Sequence, residues 1–289
     1  MNDDNLSMKP APDRAEFNAF FPSPYSISQF IKTVTDRDGD DYPKPYRGSQ
    51  KILMIATDER YLEMDNGTLF STGNHPVETL LPMYHLHKAG FAIDIATISG
   101  NSAKLEVWAM PTEDQPIVGL HNEYLDRFQK PHRLSDIVET LNGDSPYIAV
   151  FIPGGHGALN GIPQSTSVAK ALEWAMANDR YVISLCHGPA AFLAPTMVDP
   201  LKPSPFKGYS IVAFPDALDK QTPELGYMPG GLTLFIGEEL AKHGVKIINS
   251  DITGAVHVDR KLLTGDSPFA SNALGKLAAK KLLDDLAGH

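Results

Sequence analysis

The sequence predicts an α/β protein in which a mostly parallel sheet is sandwiched between layers of helices. Three observations carry that expectation. Apolar runs such as KILMIAT (51–57) and YIAVFI (147–152) have almost no polar residue in them, as strands buried on both faces require. Helical stretches follow them, HPVETLLPMYHLHKAG (75–90) and STSVAKALEWAMAND (165–179). A glycine stop at Gly90 leads at once into another strand pattern, FAIDIATI (91–98).

The remaining elements continue the alternation. Residues 101–145 are less regular, with a helix at LSDIVETL (134–141), and read as an insertion. YVISL (181–185) is the next strand, and a helix starts at PAAFLA (189–194). YSIVAF (209–214), VKIIN (245–249) and KLLTG (261–265) read as further strands. LTLFIGEELAKHG (232–244) and ASNALGKLAAKKLLDDLAG (270–288) read as helices, and AVHVD (255–259) as a polar turn into a strand. No internal repeat or low-complexity tract is visible.

Ahead of these lies an arm, residues 1–48, with six prolines (Pro10, Pro12, Pro22, Pro24, Pro43, Pro45) and the aromatic cluster FNAFFPSPY. Exposed, such a cluster invites aggregation, so the arm is expected to wrap the body or another subunit. The division expected is therefore arm 1–48 and α/β core 49–289, with the insertion around 101–145.

The 289 residues, 42% apolar and 21% charged, suffice for a sizeable core. A formal charge of −10 argues against a nucleic-acid surface, which needs clustered Lys and Arg. The N-terminal residues lack the basic start and apolar run of a secretory signal, and no run is long enough to span a bilayer. One cysteine excludes an internal disulfide and suits a reducing compartment, so the expected location is the cytoplasm.

That cysteine, Cys186, sits in YVISLCHGPAAFLA, between a strand and a run of small helix-tolerant residues. Strand, nucleophile, small residues, helix is the pattern of a nucleophile elbow. The turn projects the side chain from the carboxyl edge of the sheet, and the helix N-terminus behind it favours a thiolate. FIPGGHGAL (151–159) supplies a second loop at a strand end, whose backbone N–H groups suit an oxyanion. Neither phosphate-loop spacing fits it. His187 is the adjacent base. An acid to orient it could be Asp216, Asp219 or Glu224 in AFPDALDKQTPE, and spacing does not choose among them. Glu78 lies in the first turn of the helix after the first strand, again at the ligand edge.

At these residues the chain resembles the ThiJ/PfpI superfamily of cysteine α/β proteins. LFSTGNHPVETLLPMYHLHKAGF, FIPGGHGAL, VISLCHGPAAFLA, AFPDALDKQTPELGYMPG and LLTGDSPFASNALGKLAA point further, to a bacterial heat-shock branch known for holding chaperones, glutathione-independent glyoxalase III and protein/nucleic acid deglycases. The resemblance implies a flavodoxin-like, class I amidotransferase-like core, a small lid and a homodimer. It assigns the nucleophile to Cys186, its histidine to His187, the triad acid to Asp219, the proton-shuttling carboxyl to Glu78 and an oxyanion position to Gly155. The branch also has a metal site of histidine, glutamate and histidine. Here the positions fall on His87, Ala92 and Tyr124, so no metal and no other cofactor is expected, and His121 is a poor substitute. His85 and His87, two apart on a helix, face different ways. A further departure is the long, proline-rich PTMVDPLKPSPFKG (195–208), expected at the pocket rim.

The expected chemistry is conversion of methylglyoxal to lactate through a Cys186 hemithioacetal, with deglycase action on glycated proteins or nucleotides by the same residues. Small 2-oxoaldehydes and glycated client proteins are the expected partners, with no membrane and no stable nucleic-acid binding. The alternatives are a holding chaperone for unfolded proteins, and a cysteine peptidase or amidotransferase, whose downstream H-x-E is missing at His257 and Asp259.

Overall fold

The computed structural model describes residues 6–39 and 41–287. Residues 1–5 of the expected arm, Asp40, and residues 288–289, including the Gly288 that the sequence reading placed in the final helix, lie outside the described residues.

A seven-stranded sheet forms the centre. Across it run Val256–Asp259, Leu262–Gly265, Tyr181–Leu185, Tyr147–Ile152, Lys51–Ala56, Ala92–Thr97 and His132–Arg133. All neighbours are parallel except the first pair. Side-chain alternation explains the apolar runs. Along Lys51–Ala56, Ile52, Met54 and Ala56 enter one core while Leu53 and Ile55 enter the other. Helices Pro76–Lys88 and Ser271–Ala287 cover the first face through Leu80, Leu81, Leu274 and Leu282. Helix Thr166–Ala177 covers the second through Val168, Leu172 and Ala175. The expected α/β sandwich is thus the fold.

Strand order also locates the crevice. From Lys51–Ala56 the chain builds outward through Ala92–Thr97 to His132–Arg133. It then returns to the opposite side with Tyr147–Ile152 and continues outward from there. The carboxyl ends of Lys51–Ala56 and Tyr147–Ile152 therefore diverge at a switch point, where ligands of open α/β sheets bind.

Several elements depart from the sequence reading. YSIVAF and VKIIN contribute only Ser210–Ile211 and Lys246–Ile247, a separate parallel pair. The main sheet instead captures that chain through single groups: Val212 N–H donates to Thr264 Oγ1, and Phe214 N–H to the Cys186 carbonyl. AVHVD is no turn: Val256–Asp259 pairs antiparallel with Leu262–Gly265. An edge strand needs only one covered face, so alternating polar residues do not bar it. PAAFLA is a 3-10 helix, Gly188–Leu193, before a short α-helix, Ala194–Val198.

The arm is more ordered than its prolines suggest. Ala11–Pro12 and Ala19–Phe21 form a four-stranded sheet with Leu69–Ser71 and Tyr61–Glu63, a hairpin the sequence reading passed over. Helix Pro24–Phe30 follows, with Ser23 Oγ accepting from Ser26 N–H at 3.1 Å. Residues 101–145 supply helices Gln115–Glu123, Leu125–Gln129 and Leu134–Val138 and the edge strand His132–Arg133.

Candidate active site

Cys186 directly follows strand Tyr181–Leu185 and has a φ of +56°, in the left-handed region that a β-carbon disfavours. Two backbone bonds hold it there. Its N–H donates to the Gly265 carbonyl at 2.9 Å, and its own carbonyl accepts from Phe214 N–H at 3.1 Å. The turn also needs bare backbone beside it: a Cβ on Gly188 would lie 2.6 Å from the Ile152 carbonyl oxygen. The expected elbow is present, and the strain is borne by neighbouring strands.

From Sγ a chain of contacts runs inward. His187 Nδ1 is 3.3 Å from Sγ, and His187 Nε2 is 2.8 Å from Asp219 Oδ2. All three residues are buried. Of the acids that spacing left open, only Asp219 meets this histidine. Asp216 caps helix Ile236–Lys242, accepting from Gly237 and Glu238 N–H groups at 2.9 and 2.7 Å. Glu224 is exposed. Burial disfavours the Asp219 charge, but His187 and His156 overcome it and hold the carboxyl well below its usual range.

Glu78 enters from the first turn of helix Pro76–Lys88 and is fully buried. Its oxygens meet no hydrogen bond of good geometry among the described residues; the Cys186 thiol and the Gly155 backbone lie against it. Burial therefore pushes its carboxyl far above the usual range. The thiol does not show the helix-stabilised thiolate expected from sequence. Burial and the neighbouring Glu78 charge push Cys186 upward, and the His187 backbone N–H only partly opposes them. The segment directly behind the thiol is the 3-10 helix Gly188–Leu193, where the sequence reading expected an α-helix. Burial thus disfavours charge on both groups of the pair.

The PGGHG loop seals this pair. A Cβ on Gly154 would collide with Glu78 Oε2 and lie 2.8 Å from Cys186 Cβ. Gly155 has φ +100°, and a Cβ there would meet the Gly73 carbonyl oxygen and His75 nitrogen at 2.5 Å.

Sequence reasoning missed several residues here. His156 was read only as part of a glycine-rich loop, yet its Nε2 lies 3.1 Å from Asp219 Oδ1. Its ring is 4.0 Å from that of His187, and Phe214 stacks on His187 at 4.9 Å. His75, the N-cap of the Glu78 helix, is buried, with Nδ1 unpartnered among the described residues; burial, then His156, lower it to about 3. Glu106 also packs here. No local pattern marks these residues, because each is brought in by a different crossover.

A cavity of about 300 Å³ opens beside His75 and Val77, walled by Phe30, Ile31 and Val34 of the arm and by Phe269. The 195–208 segment does not line it. That segment instead anchors through Phe206, stacked on Phe192 at 4.4 Å, and leaves Leu201 exposed.

The positions that the resemblance linked to a metal are otherwise occupied. His87 Nδ1 is 3.1 Å from the Tyr124 hydroxyl, His87 Nε2 is 3.7 Å from Glu123, and Ala92 is exposed. Alanine and a tyrosine engaged with its neighbour do not make a three-ligand set. His121 packs its ring against Phe128. His85 bonds Tyr42 and Asn272 at 2.8 and 2.7 Å.

Fold and site together define an α/β protein built around a cysteine elbow with a histidine–aspartate pair and a buried glutamate. No family model matches the chain. It is, however, 63% identical over 282 residues to the protein/nucleic acid deglycase HchA of Escherichia coli O157:H7, covering 98% of each chain. The protein/nucleic acid deglycase 1 of Escherichia coli K12 matches to the same extent. The chain belongs to the HchA deglycase family. Among solved structures, the glyoxalase III of Candida albicans superposes with a TM-score of 0.61 at 24% identity, covering 80% of this chain and 97% of its own. The Rapid Encystment Protein of Francisella tularensis superposes at 0.65 with 20% identity, covering 81% and 99%. These two likenesses show the fold. No helix among the described residues is long and apolar enough to cross a membrane.

Proposed function

We propose that the protein converts methylglyoxal to lactate without glutathione, and that the same site removes early glyoxal adducts from proteins and nucleotides. The observation that carries this reading is the buried, unpartnered Glu78 carboxyl beside the Cys186 thiol. An acid held neutral next to a nucleophile is what an aldehyde needs, since its oxygen must gain a proton as its carbon is attacked.

The steps follow from the contacts. The Cys186 proton passes to His187 Nδ1, and Asp219 stabilises the imidazolium. Sulfur bonds to the aldehyde carbon, and Glu78 protonates the oxygen beside the Gly155 backbone. The Glu78 carboxylate then removes the proton from that carbon, giving an enediolate, and returns it to the adjacent carbon while the hydroxyl proton of the first oxygen passes to the second. Water adds its hydroxyl to the acyl carbon of the resulting thioester as the C–S bond breaks, and its other proton restores the Glu78 acid. His187 returns its proton to sulfur, and lactate leaves with release of one proton to solvent. One water is consumed per lactate. For adducts, the same thiol attacks the carbon derived from the aldehyde, the bond from that carbon to the adduct's nitrogen breaks, and the amine leaves with the Glu78 proton, giving the same hemithioacetal. The names of the deglycase relatives support that extension.

The test is lactate formation without glutathione or added metal, for wild type, Cys186→Ala and Glu78→Gln. Turnover confined to wild type is expected. Turnover in Cys186→Ala would overturn the covalent route. Adduct loss that persists when free methylglyoxal is exhausted by a trap separates direct repair from scavenging.

A second reading, a holding chaperone, is favoured by the apolar side chains left exposed on the arm and at the cavity: Phe17 is 89% exposed, Phe30 48% and Phe269 58%. Holding of a heated client by Cys186→Ala would support it, and loss of holding in that variant would remove it. We place the protein in the cytoplasm as a homodimer, to be checked by fractionation and by light scattering.

A further inference from the structure

Glu106 takes part in none of these steps, yet it is fully buried at the site. Its Oε1 accepts from Thr72 Oγ1 at 2.6 Å, whereas Oε2 has no partner among the described residues. Its backbone N–H donates to the Asn74 carbonyl at 3.0 Å, and Gly157 N–H donates to the Gly73 carbonyl at 3.1 Å. Segment 72–75 thus ties Glu106 to the turn that carries His156. The titratable groups facing it are Arg60, His156, Glu78 and Tyr227. Arg60 leaves Oε2 without a counter-ion bond, because its guanidinium donates to the Thr72 and Leu105 carbonyls at 3.0 and 2.8 Å.

An oxygen this buried, with no counter-ion bond and no hydrogen bond of good geometry among the described residues, suits a protonated carboxyl, and the His156 backbone only partly offsets its burial. Where that proton resides matters, because His156 is a buried base that acts on Glu106 and shares Asp219 with His187. A proton moved from Glu106 to His156 would place an imidazolium on Asp219 Oδ1. Asp219 would then stabilise a charged His187 less, and His187 would be a weaker base toward Cys186.

We propose that Glu106 is a positioning residue that retains this proton, keeps His156 neutral and leaves the whole Asp219 charge to His187. The inference deepens the reading of the preceding subsection and rests on it. Glu106 touches no substrate, and turnover moves no proton to or from it. Burial places its ionisation at about 7, with His156, Thr72 and Arg60 opposing. Once ionised, its charge draws a proton onto His156 and opposes a thiolate at Cys186.

The experiment uses the chain's single cysteine. Alkylation of Cys186 by iodoacetamide is followed from pH 5 to 9 in wild type, Glu106→Gln and Thr72→Val, alongside kcat and KM for lactate formation. Wild type is expected to show an inflection near neutral pH in alkylation and in kcat, with KM unchanged. Glu106→Gln loses the inflection. Thr72→Val, which removes a bond that favours the carboxylate, moves it up by about one pH unit. Superposable alkylation profiles for wild type and a folded Glu106→Gln overturn the inference, and an unmoved Thr72→Val inflection does so even if Glu106→Gln fails to fold. If alkylation behaves as expected but wild type forms no lactate, the glyoxalase reading falls and the role of Glu106 at the thiol stands.

Discussion

His156 and His187 lie ring over ring, centroids 4.0 Å apart and planes 36° apart, each placing Nε2 on a different oxygen of Asp219. One buried carboxylate therefore orients two imidazoles that arrive from different strands. His187 follows the elbow cysteine, and His156 follows the glycine pair after Ile152. Two charged imidazoles at that spacing would repel, and burial and His187 together lower His156. In the proposed reaction the pair acts as one base and one neutral brace.

Asp219→Asn tests that division. An amide keeps the shape but removes the charge, so His187 loses both its tautomer and the partner of its imidazolium. A fall in kcat of about 10⁴-fold with KM little changed is expected. The stability change has a defined sign. The folded carboxyl sits below its unfolded value of 3.8, so its contribution is present above that pH and is lost as pH falls below it. The stability advantage of wild type over the variant should therefore shrink on acidification below about pH 4. An advantage that persists unchanged at pH 3 would refute the linkage.

Strain at the elbow gives a second prediction. Cys186 holds φ +56°, where a β-carbon costs about 1–2 kcal/mol. Cys186→Ala keeps that cost and Cys186→Gly relieves it. Urea unfolding should find the glycine variant more stable than the alanine variant by about 1 kcal/mol. Equal stabilities would mean that the turn is not strained.

The sequence was most informative where chemistry is local. Apolar runs revealed the central strands because a strand covered on both faces must be apolar throughout. The elbow and the glycine loop were legible because tight turns restrict residue type. Glu78 and Asp219 needed the family resemblance, since first-turn glutamates and loop aspartates usually serve as dipole partners and caps, as Asp216 does here. His156, His75 and Glu106 stayed hidden because their significance lies in contacts between residues far apart in the chain, 63 apart for His156 to Asp219 and 34 apart for Glu106 to Thr72. The edge strand Val256–Asp259 was misread because half-burial weakens the apolar signal on which strand recognition depends.

Tyr124 offers a test away from the chemistry. Its hydroxyl lies 3.1 Å from His87 Nδ1, and the Arg127 guanidinium lies over its ring at 4.6 Å. Tyr124→Phe should keep the ring contact, lose the hydrogen bond and cost about 1 kcal/mol in urea, with lactate turnover unchanged. A large loss of turnover would draw this pair into the site and reopen its resemblance-based link to metal binding.

Glu106 yields a stability prediction independent of any reaction. Burial raises its folded ionisation from 4.5 to about 7, so the folded state prefers the protonated acid. Below pH 4.5 the group is protonated in both states and is neutral in its effect. As pH rises from 4.5 to 7, unfolding increasingly releases a proton that the native state retains, and native stability declines. The full penalty, present above pH 7, is roughly 3 kcal/mol. Glu106→Gln cannot ionise, so it should gain on wild type steadily between pH 4.5 and 7 and hold a constant lead above. Denaturant titrations at pH 4, 6 and 8 measure that lead. A lead that is flat across the three would mean that Glu106 is already ionised in the native protein and that His156 carries the proton.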